Sequence, residues 1–211
     1  ADNESYPTDA QLFEVTPEAV GLGFKNGTAV LRLTPLGANL LNTHVSSTTA
    51  WQASESVFVK VGESESDSLF AKACSDLRAE LGLASTVTAP VIKVASNPGL
   101  EIDWPGLAAK ANPSWGAGVR RKLQKLLASE SGGNRLTSDG IPILIARPFE
   151  GELLSHAPER LLLASGGQQL LYVLLFRKYV GSSDTNSRNM LISLTAGDQT
   201  GGVKLLSVDE T

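Results

Sequence analysis

One segment constrains the fold of this chain more than any other: an apolar helix that leads into a polar loop and then into two short strands. Residues 168–179 have an apolar helical pattern, and the loop that follows, 181–189, reads GSSDTNSRN. Strand-like runs follow at 190–192 and 203–208, separated by a polar turn. Because helical and extended patterns follow each other within one stretch, the segment predicts a mixed α+β fold.

The preceding part of the chain carries further strands and one long helix. Strand-like runs occur at 28–34, 57–61, 90–94 and 141–146. Between the second and third runs, apolar residues at helical spacing predict a helix that Ser66 or Asp67 would cap and Gly82 would end. We expect its single apolar stripe to consist of Leu69, Phe70, Ala73, Leu77 and Leu81.

Other segments have weaker patterns. Residues 1–12 predict a polar arm, and residues 35–56 predict a long loop or an irregular hairpin. Residues 96–116 combine prolines and glycines with two tryptophans, which predicts an insertion packed by those rings. We therefore expect an N-terminal lobe at 1–149, with an insertion at about 96–138, and the start of a second lobe at 150–211.

Charge and composition exclude several functional classes. The formal net charge is -4, so nucleic-acid binding is not expected. No apolar run reaches the length of a membrane span. His44 and His156 lie far apart and Cys74 is the one cysteine, so a zinc site is not expected either. A lone cysteine suits a reducing compartment, and we expect an intracellular, cytoplasmic protein.

The loop between the helix and the hairpin supplies oxygen-bearing side chains at a spacing that phosphoryl transfer uses. Asp184 and Asn189 stand five positions apart, and Asp209 follows the last strand, twenty positions after Asn189. Asp184 would orient an attacking hydroxyl, while Asn189 and Asp209 would hold Mg²⁺. Asp and Asn also bond to local backbone groups in ordinary polar turns, and that alternative stays open.

The candidate cation for the phosphates is Lys60, near the end of the strand 57–61. Glu80 lies twenty residues on, near the end of the predicted helix, and would pair with this lysine. Asp76, one turn earlier, is an alternative partner. Taken singly, Lys60 is better explained as a solvent-facing lysine of a strand, and a solvated helix face is the alternative explanation for Glu80.

A phosphate-binding loop is the weakest of the motifs. Residues 21–27, GLGFKNG, are similar to a glycine-rich nucleotide loop, with Gly21 and Gly23 as candidate contacts, but an extra residue precedes the last glycine. Ser46-Ser47-Thr48 is a rival, because hydroxyls and backbone amides also bind phosphate. The basic run Arg120-Arg121-Lys122 would contact a phosphorylated partner or RNA, or else form a solvated helix face.

Together these motifs resemble the protein-kinase-like superfamily, and within it the phosphoinositide lipid kinases and their atypical relatives. Residues 59–64 are similar to the lysine strand and acidic turn of that group, 179–184 with 189–191 to its catalytic loop, and 206–209 to the strand that delivers the metal aspartate. The resemblance implies a two-lobed fold with a β-rich N-terminal lobe and an incomplete helical C-terminal lobe. It also implies an ATP-dependent kinase activity, with Mg²⁺ and ATP as cofactors.

The chain departs from the family pattern at three places. Asn186 stands where lipid kinases have a histidine, Ser182-Ser183 stand where protein kinases have His-Arg, and Glu210-Thr211 replace the Phe-Gly near the metal aspartate. The sequence also stops where an activation segment would begin. We therefore expect either a fragment of a longer or cleaved polypeptide, whose fold other protein chains would complete, or a reduced fold.

Three functions stay open at this point. The first is a kinase or a Mg-ATP-binding domain, in which Arg188 would also neutralise transferred charge. The second is a catalytically inactive kinase-like scaffold, or an assembly subunit of a larger complex. The third is a plain α+β interaction domain whose motifs are coincidental. Only the first requires one set of side chains to meet around a nucleotide, namely Lys60, Glu80, Asp184, Asn189 and Asp209.

Overall fold

The computed structural model describes residues 6–22, 27–43, 50–62, 64–96, 99–128, 140–162, 166–182, 186–194 and 203–208. The chain forms two compact units. The first consists of residues 1–72 and 88–148, and the second of residues 73–87 and 149–211. Helices and strands together build the structure, which confirms the mixed α+β class.

A five-stranded antiparallel sheet organises the first unit. Its strands are β1 (Phe13–Glu14), β2 (Thr28–Leu33), β3 (Ser56–Val61), β4 (Ile92–Val94) and β5 (Ile141–Ala146). Their spatial order is β1-β2-β3-β5-β4, so β3 is the central strand, between β2 and β5. The four predicted strand runs are confirmed, and β1 adds a short edge strand.

One face of this sheet carries the core of the first unit. On β3, Val57, Val59 and Val61 are each 0% exposed, whereas Phe58 and Lys60 between them are half-buried. Because successive strand residues point to opposite faces, the three valines define the core face. Two helices, α4 (Trp104–Ala111) and α5 (Pro113–Ala128), contribute to the same buried cluster through Trp104, Leu107, Val119 and Leu123.

A helix, α2 (Pro35–Thr43), stands where we expected a loop or an irregular hairpin, so that prediction is wrong. The hydroxyl of Thr34 accepts a hydrogen bond from the amide of Gly37 at 3.0 Å and starts the helix. A side chain at Gly37 would collide with the carbonyl oxygen of Leu12. The glycine that weakens the helical signal in the sequence is therefore required by close packing.

The long helix α3 (Glu65–Glu80) forms as predicted but buries a different face. Leu69, Phe70 and Leu81 of the predicted stripe are 51%, 40% and 58% exposed, so the stripe does not enter a core among the described residues. Helical spacing shows which residues share a face, but not which face meets a neighbour. The side chains that are buried instead are Ser68, Cys74, Ser75 and Arg78.

Only the N-terminal end of α3 differs from the prediction. Ser64, rather than Ser66 or Asp67, caps the helix, because its hydroxyl accepts a hydrogen bond from the amide of Asp67 at 3.1 Å. Gly82 ends the helix as predicted. Its φ of +68° lies in the left-handed region that glycine adopts without strain.

Part of the predicted polar arm is a short helix, α1 (Asp9–Leu12), and Asp9 at its start is 0% exposed. The Asp9 carboxylate accepts hydrogen bonds from the amides of Glu101 and Ile102, at 2.8 and 3.2 Å. It also accepts one from the indole nitrogen of Trp104 at 2.9 Å. This one carboxylate therefore anchors the predicted insertion through Trp104, which is 1% exposed.

A three-stranded antiparallel sheet and a helix organise the second unit. The strands are β6 (Glu152–Leu153), β7 (Met190–Leu194) and β8 (Val203–Ser207), in that spatial order, and the helix is α6 (Gly166–Tyr179). The predicted apolar helix and both predicted strands are thus confirmed. Short 3₁₀ helices occur at Pro158–Leu162 and Ser187–Asn189. In the described parts of the chain, no helix combines the length and the apolar character needed to cross a membrane.

Replacing the buried carboxylate should destabilise the first unit. We expect Asp9→Ala to lower the free energy of unfolding by about 3 kcal/mol, because two amides and an indole N–H would be left buried without an acceptor. Urea unfolding followed by tryptophan fluorescence measures this, since all three tryptophans of the chain lie in the first unit.

Asp103→Ala is the matched control for this measurement. Asp103 is an exposed residue that caps α4 through the amide of Gly106 at 2.9 Å. Its loss should lower the free energy of unfolding by only about 1 kcal/mol. Equal losses for the two variants would contradict the anchoring role of Asp9.

An ion pair between Glu55 and Arg147 links the segment before β3 to the end of β5. The Arg147 guanidinium also donates to the carbonyl of Ala50 at 3.1 Å, and it lies 4.5 Å from the ring centre of Trp51. Burial alone would raise the pKa of Glu55. Hydrogen bonds from Arg147 and from the amide of Gln52 outweigh burial, so this pKa lies below its ordinary value.

Acid should therefore weaken this link. Because the pKa of Glu55 is lower in the folded than in the unfolded protein, the group stabilises the fold above its unfolded value of about 4.3. That stabilisation is lost as the pH falls through the lower, folded value. Wild type should be more stable than Glu55→Gln in urea at pH 7, and the difference should shrink between about pH 5 and pH 3. A difference that stays constant over this range would contradict the prediction.

Candidate functional site

Lys60 lies on the central strand of the first unit. In the strand register it is opposite Thr28 of β2 and Leu144 of β5. Side-chain alternation places Lys60 on the face opposite the buried valines, together with Phe58, Val30 and Leu144, which are half-buried.

Gly21 belongs to the segment that leads into β2. It forms an isolated bridge with Ala29, and the amide of Leu22 donates to the carbonyl of Thr28 at 2.7 Å. A Cβ atom at Gly21 would lie 2.6 Å from the Cα atom of Ala108 in α4. Close packing against this helix therefore explains the glycine, alongside the predicted nucleotide contact.

A cleft of about 260 Å³ adjoins this segment. Val20 and Val30 form its apolar side, while Glu18 and Arg32 give it charge of both signs. Hydrogen bonds from the backbone of Glu18 and from Thr16 hold the pKa of the Glu18 carboxyl below its ordinary value. Because this carboxylate would repel phosphate, the cleft is better suited to an uncharged part of a ligand than to its phosphates.

Several predicted site positions lie outside the described residues. They are Gly23, Asp184, Asp209 and the rival phosphate loop at 46–48. The roles assigned to them stay predictions.

Glu80 is the last residue of α3 and is exposed, as is its alternative Asp76. Both belong to the second unit, whereas Lys60 belongs to the first. The pairing of Lys60 with either acid stays a prediction.

Asn189 ends the 3₁₀ helix that leads into β7. The side chain of Asn186 caps this helix by accepting from the amide of Arg188 at 3.0 Å. The carbonyl of Asn189 accepts a hydrogen bond from the amide of Val208 at 2.9 Å. Since Met190 pairs with Ser207 in the β7–β8 register, Asn189 lies opposite the residue that immediately precedes Asp209.

Sequence reasoning missed Arg177, which is 0% exposed near the end of α6. Its guanidinium donates to the carbonyl of Val208 at 3.1 Å, to the hydroxyl of Ser182 at 2.9 Å and to the hydroxyl of Ser207. One signal in the sequence could have found it. Arg177 stands one turn after Val173 and directly after Phe176, at the positions of α6 that face the core.

The basic run on α5 faces solvent for the most part. Arg120, Arg121 and Lys125 are exposed, while the ammonium of Lys122 donates to the carbonyl of Val61 at 3.1 Å. These cations therefore form a solvated helix face with one member that binds the end of β3, which agrees with the plainer of the two interpretations.

No family model, no curated protein and no solved structure matches the chain. Nor do three or more His, Cys, Asp or Glu side chains meet as a metal-binding group, as far as the described residues go. The case for a function therefore depends on the geometry of Lys60 and of the β7–β8 hairpin.

Packing, rather than ligand contact, should dominate the effect of a side chain at Gly21. We expect Gly21→Ala to lower the free energy of unfolding of the first unit by about 1–3 kcal/mol, because its methyl group would collide with the backbone of α4. Urea unfolding followed by circular dichroism, which reports on the helices and strands of both units, measures the change. Gly167→Ala, at a helical site of the second unit with open space around it, should be neutral or slightly stabilising. Unchanged stability in Gly21→Ala would contradict the close approach.

Proposed function

We propose that this chain is a kinase-like phosphotransferase or Mg-ATP-binding domain with a two-lobed, kinase-like fold. The observation that carries the proposal is the register of the β7–β8 hairpin. It sets Asn189, whose side chain would hold Mg²⁺, opposite Val208, which immediately precedes Asp209. The backbone carbonyl of Asn189 accepts a hydrogen bond from the amide of Val208 at 2.9 Å. Neutral and anionic oxygen ligands of this kind are the donors that Mg²⁺ prefers.

The surroundings of Lys60 give the second support. In kinases the phosphate-binding lysine lies on a strand of the first lobe and is followed by a helix. Here Lys60 lies on β3, and α3 begins five residues later, at Glu65. The neighbouring apolar side chains of Val30, Phe58 and Leu144 would cover a nucleobase while the ammonium reaches the phosphates.

In the proposed reaction the residues act by position and charge. Lys60 draws the phosphates to one side of the sheet, and Glu80 of α3 orients the ammonium. Asn189 and Asp209 would hold a magnesium ion, which would supply positive charge next to the transferred phosphoryl group. Asp184 orients the acceptor hydroxyl and takes its proton. In this scheme most of the rate acceleration comes from positioning the reacting groups, because phosphoryl transfer requires little covalent chemistry from the protein.

A second candidate is an inactive kinase-like scaffold or assembly subunit, and one observation favours it. Along α6, Leu171, Leu175 and Tyr179 are 53%, 54% and 80% exposed. They recur every fourth residue, so they form one apolar stripe on the outer side of the helix. Such a stripe would suit contact with another protein chain.

Thermal stability in the presence of nucleotide separates the two candidates. If the first is right, millimolar Mg-ATP should raise the melting temperature of the wild-type chain, because a ligand at a hundredfold its dissociation constant adds about 2.7 kcal/mol of stability. The shift should be lost in Lys60→Met, and its Mg²⁺ dependence should be lost in Asp209→Ala. Thermal unfolding with and without millimolar Mg-ATP measures both effects.

Lys204→Met is the matched control, since Lys204 is a solvent-exposed lysine on another strand, β8. It should keep the full nucleotide-induced shift. A wild-type protein that shows no shift, or an Asp209→Ala variant that keeps its Mg²⁺ dependence, would reject the phosphotransferase in favour of the scaffold.

A further inference from the structure

The segment that follows β1 leaves the edge of β2 and opens a cleft beside that strand. β1 is paired with β2 as far as Arg32, and pairing along this edge resumes between Gly21 and Ala29. Residues 15–20 therefore lie opposite only two residues of β2, 30 and 31. Because the longer segment cannot follow the shorter one, it loops away from the strand. The space between them is the cleft of about 260 Å³ in the first unit.

The wall of this cleft is held in place by hydrogen bonds. The amide of Ala19 donates to the carbonyl of Thr16 at 3.0 Å and closes a turn, in which Pro17 stands at the position that its fixed φ suits. From α4, the ammonium of Lys110 donates to the carbonyl of Ala19 at 3.4 Å. The amide of Gly21 donates to a carbonyl of the same helix at 2.7 Å. The cleft is therefore formed without a ligand, which lowers the cost of binding one.

Strand pairing closes the opening at both ends, and this limits the shape of a ligand. The two pairings, at Ala29 and Arg32, are separated by about 10 Å along β2. An extended peptide that ran along the edge of β2 would meet paired backbone at either end. The opening and its volume therefore suit a compact small molecule.

The two charged residues of the lining have opposite signs. Glu18 on the wall and Arg32 on β2 are both exposed. Hydrogen bonds from its own backbone and from Thr16 lower the pKa of the Glu18 carboxyl, and the positive charges of Arg32 and Lys110 lower it further. At neutral pH the cleft thus presents a carboxylate and a guanidinium. A ligand that is neutral overall but carries both charges would be attracted by both groups, whereas a polyanion would be repelled by Glu18.

Four of the other lining residues are apolar, namely Ala19, Val20, Val30 and Leu31. Val20 is 37% exposed and Val30 is half-buried, so part of this apolar surface faces solvent. Covering it with an aliphatic group would be favourable, since apolar surface would leave water. The lining therefore combines a place for a cation, a place for an anion and an apolar patch.

We propose that this cleft binds a free α-amino acid with a branched aliphatic side chain. The ammonium group pairs with Glu18, the carboxylate pairs with Arg32, and the side chain covers Val20 and Val30. A peptide carries its ammonium and its carboxylate at opposite ends, so the free amino acid is the compact form that presents both. Exposed ion pairs contribute little each, and we expect millimolar affinity. The inference goes beyond the proposed function, in which Glu18 and Arg32 have no role.

A series of related ligands tests the recognition of each group. NMR titration of the isotopically labelled full chain with L-leucine should shift the amides of Val20, Val30 and Leu31 and saturate in the millimolar range. 4-Methylpentanoate lacks the ammonium and 3-methylbutylamine lacks the carboxylate, so each should bind about fivefold more weakly than leucine. Glycine lacks the aliphatic group and should also bind more weakly. Unshifted amides at tens of millimolar leucine, or equal affinities for leucine and both analogues, would overturn the inference.

Two variants with opposite expected effects test the assigned residues. Glu18→Gln should weaken leucine and 3-methylbutylamine about fivefold without weakening 4-methylpentanoate. Arg32→Gln should weaken leucine and 4-methylpentanoate about fivefold without weakening 3-methylbutylamine. Both residues are exposed, so we expect both variants to fold, and a loss of structure would weaken all three ligands alike.

Arg121→Gln is the matched control, because Arg121 is an exposed arginine on α5 of the same unit and lies outside the lining. It should keep all three affinities. Leucine binding that both cleft variants keep in full would show that the amino acid binds elsewhere and would overturn the assignment. These titrations contain neither nucleotide nor Mg²⁺, so their failure would leave the proposed function to the Mg-ATP measurement above.

Discussion

The alternation of side chains along the central strand is the constraint on which the first unit depends. β3 is paired on both edges, so its pleat cannot shift without breaking two ladders of hydrogen bonds. Its three valines are fully buried on one face, and this fixes the position of Lys60 on the other. The same hydrophobic pattern that builds the core therefore determines on which surface the cation stands. No additional structural feature is needed to place Lys60 on this surface.

The features that the sequence predicted well are those determined by residues close together in the chain. β-Branched runs such as Ile141–Ala146 and the apolar helix Gly166–Tyr179 carry their periodicity within a few residues, and the structure contains both. The helix α2 escaped prediction because Gly37 and Asn42 are turn-forming residues in isolation. In the structure, close packing against Leu12 leaves no room for a side chain at Gly37. The side chain of Asn42 forms two hydrogen bonds with the backbone of Trp51.

The features that escaped prediction altogether depend on contacts between residues that are far apart in the sequence. Asp9 reads as one more acid in a polar arm, but its partners lie more than ninety positions away. Arg177 reads as a charge that interrupts an apolar helix, and its partners at 207 and 208 are about thirty positions away. The apolar stripe of α3 fails for a related reason. Spacing along a helix carries no information about which side a neighbour will cover.

The hairpin of the second unit shows how ordinary packing can fix the strand register on which a proposed site depends. The core-facing residues of β7 and β8 pair with one another: Met190 lies opposite Ser207, and Ile192 opposite Leu205. A slip of one position would set Ile192 opposite either Lys204 or Leu206 and turn one strand's buried residues away from the core. The register is thus specified by apolar burial, and it carries Asn189 to Val208 without any contribution from the polar residues themselves. What packing leaves undetermined is the path of the chain beyond each strand end, and that is where the buried guanidinium of Arg177 binds.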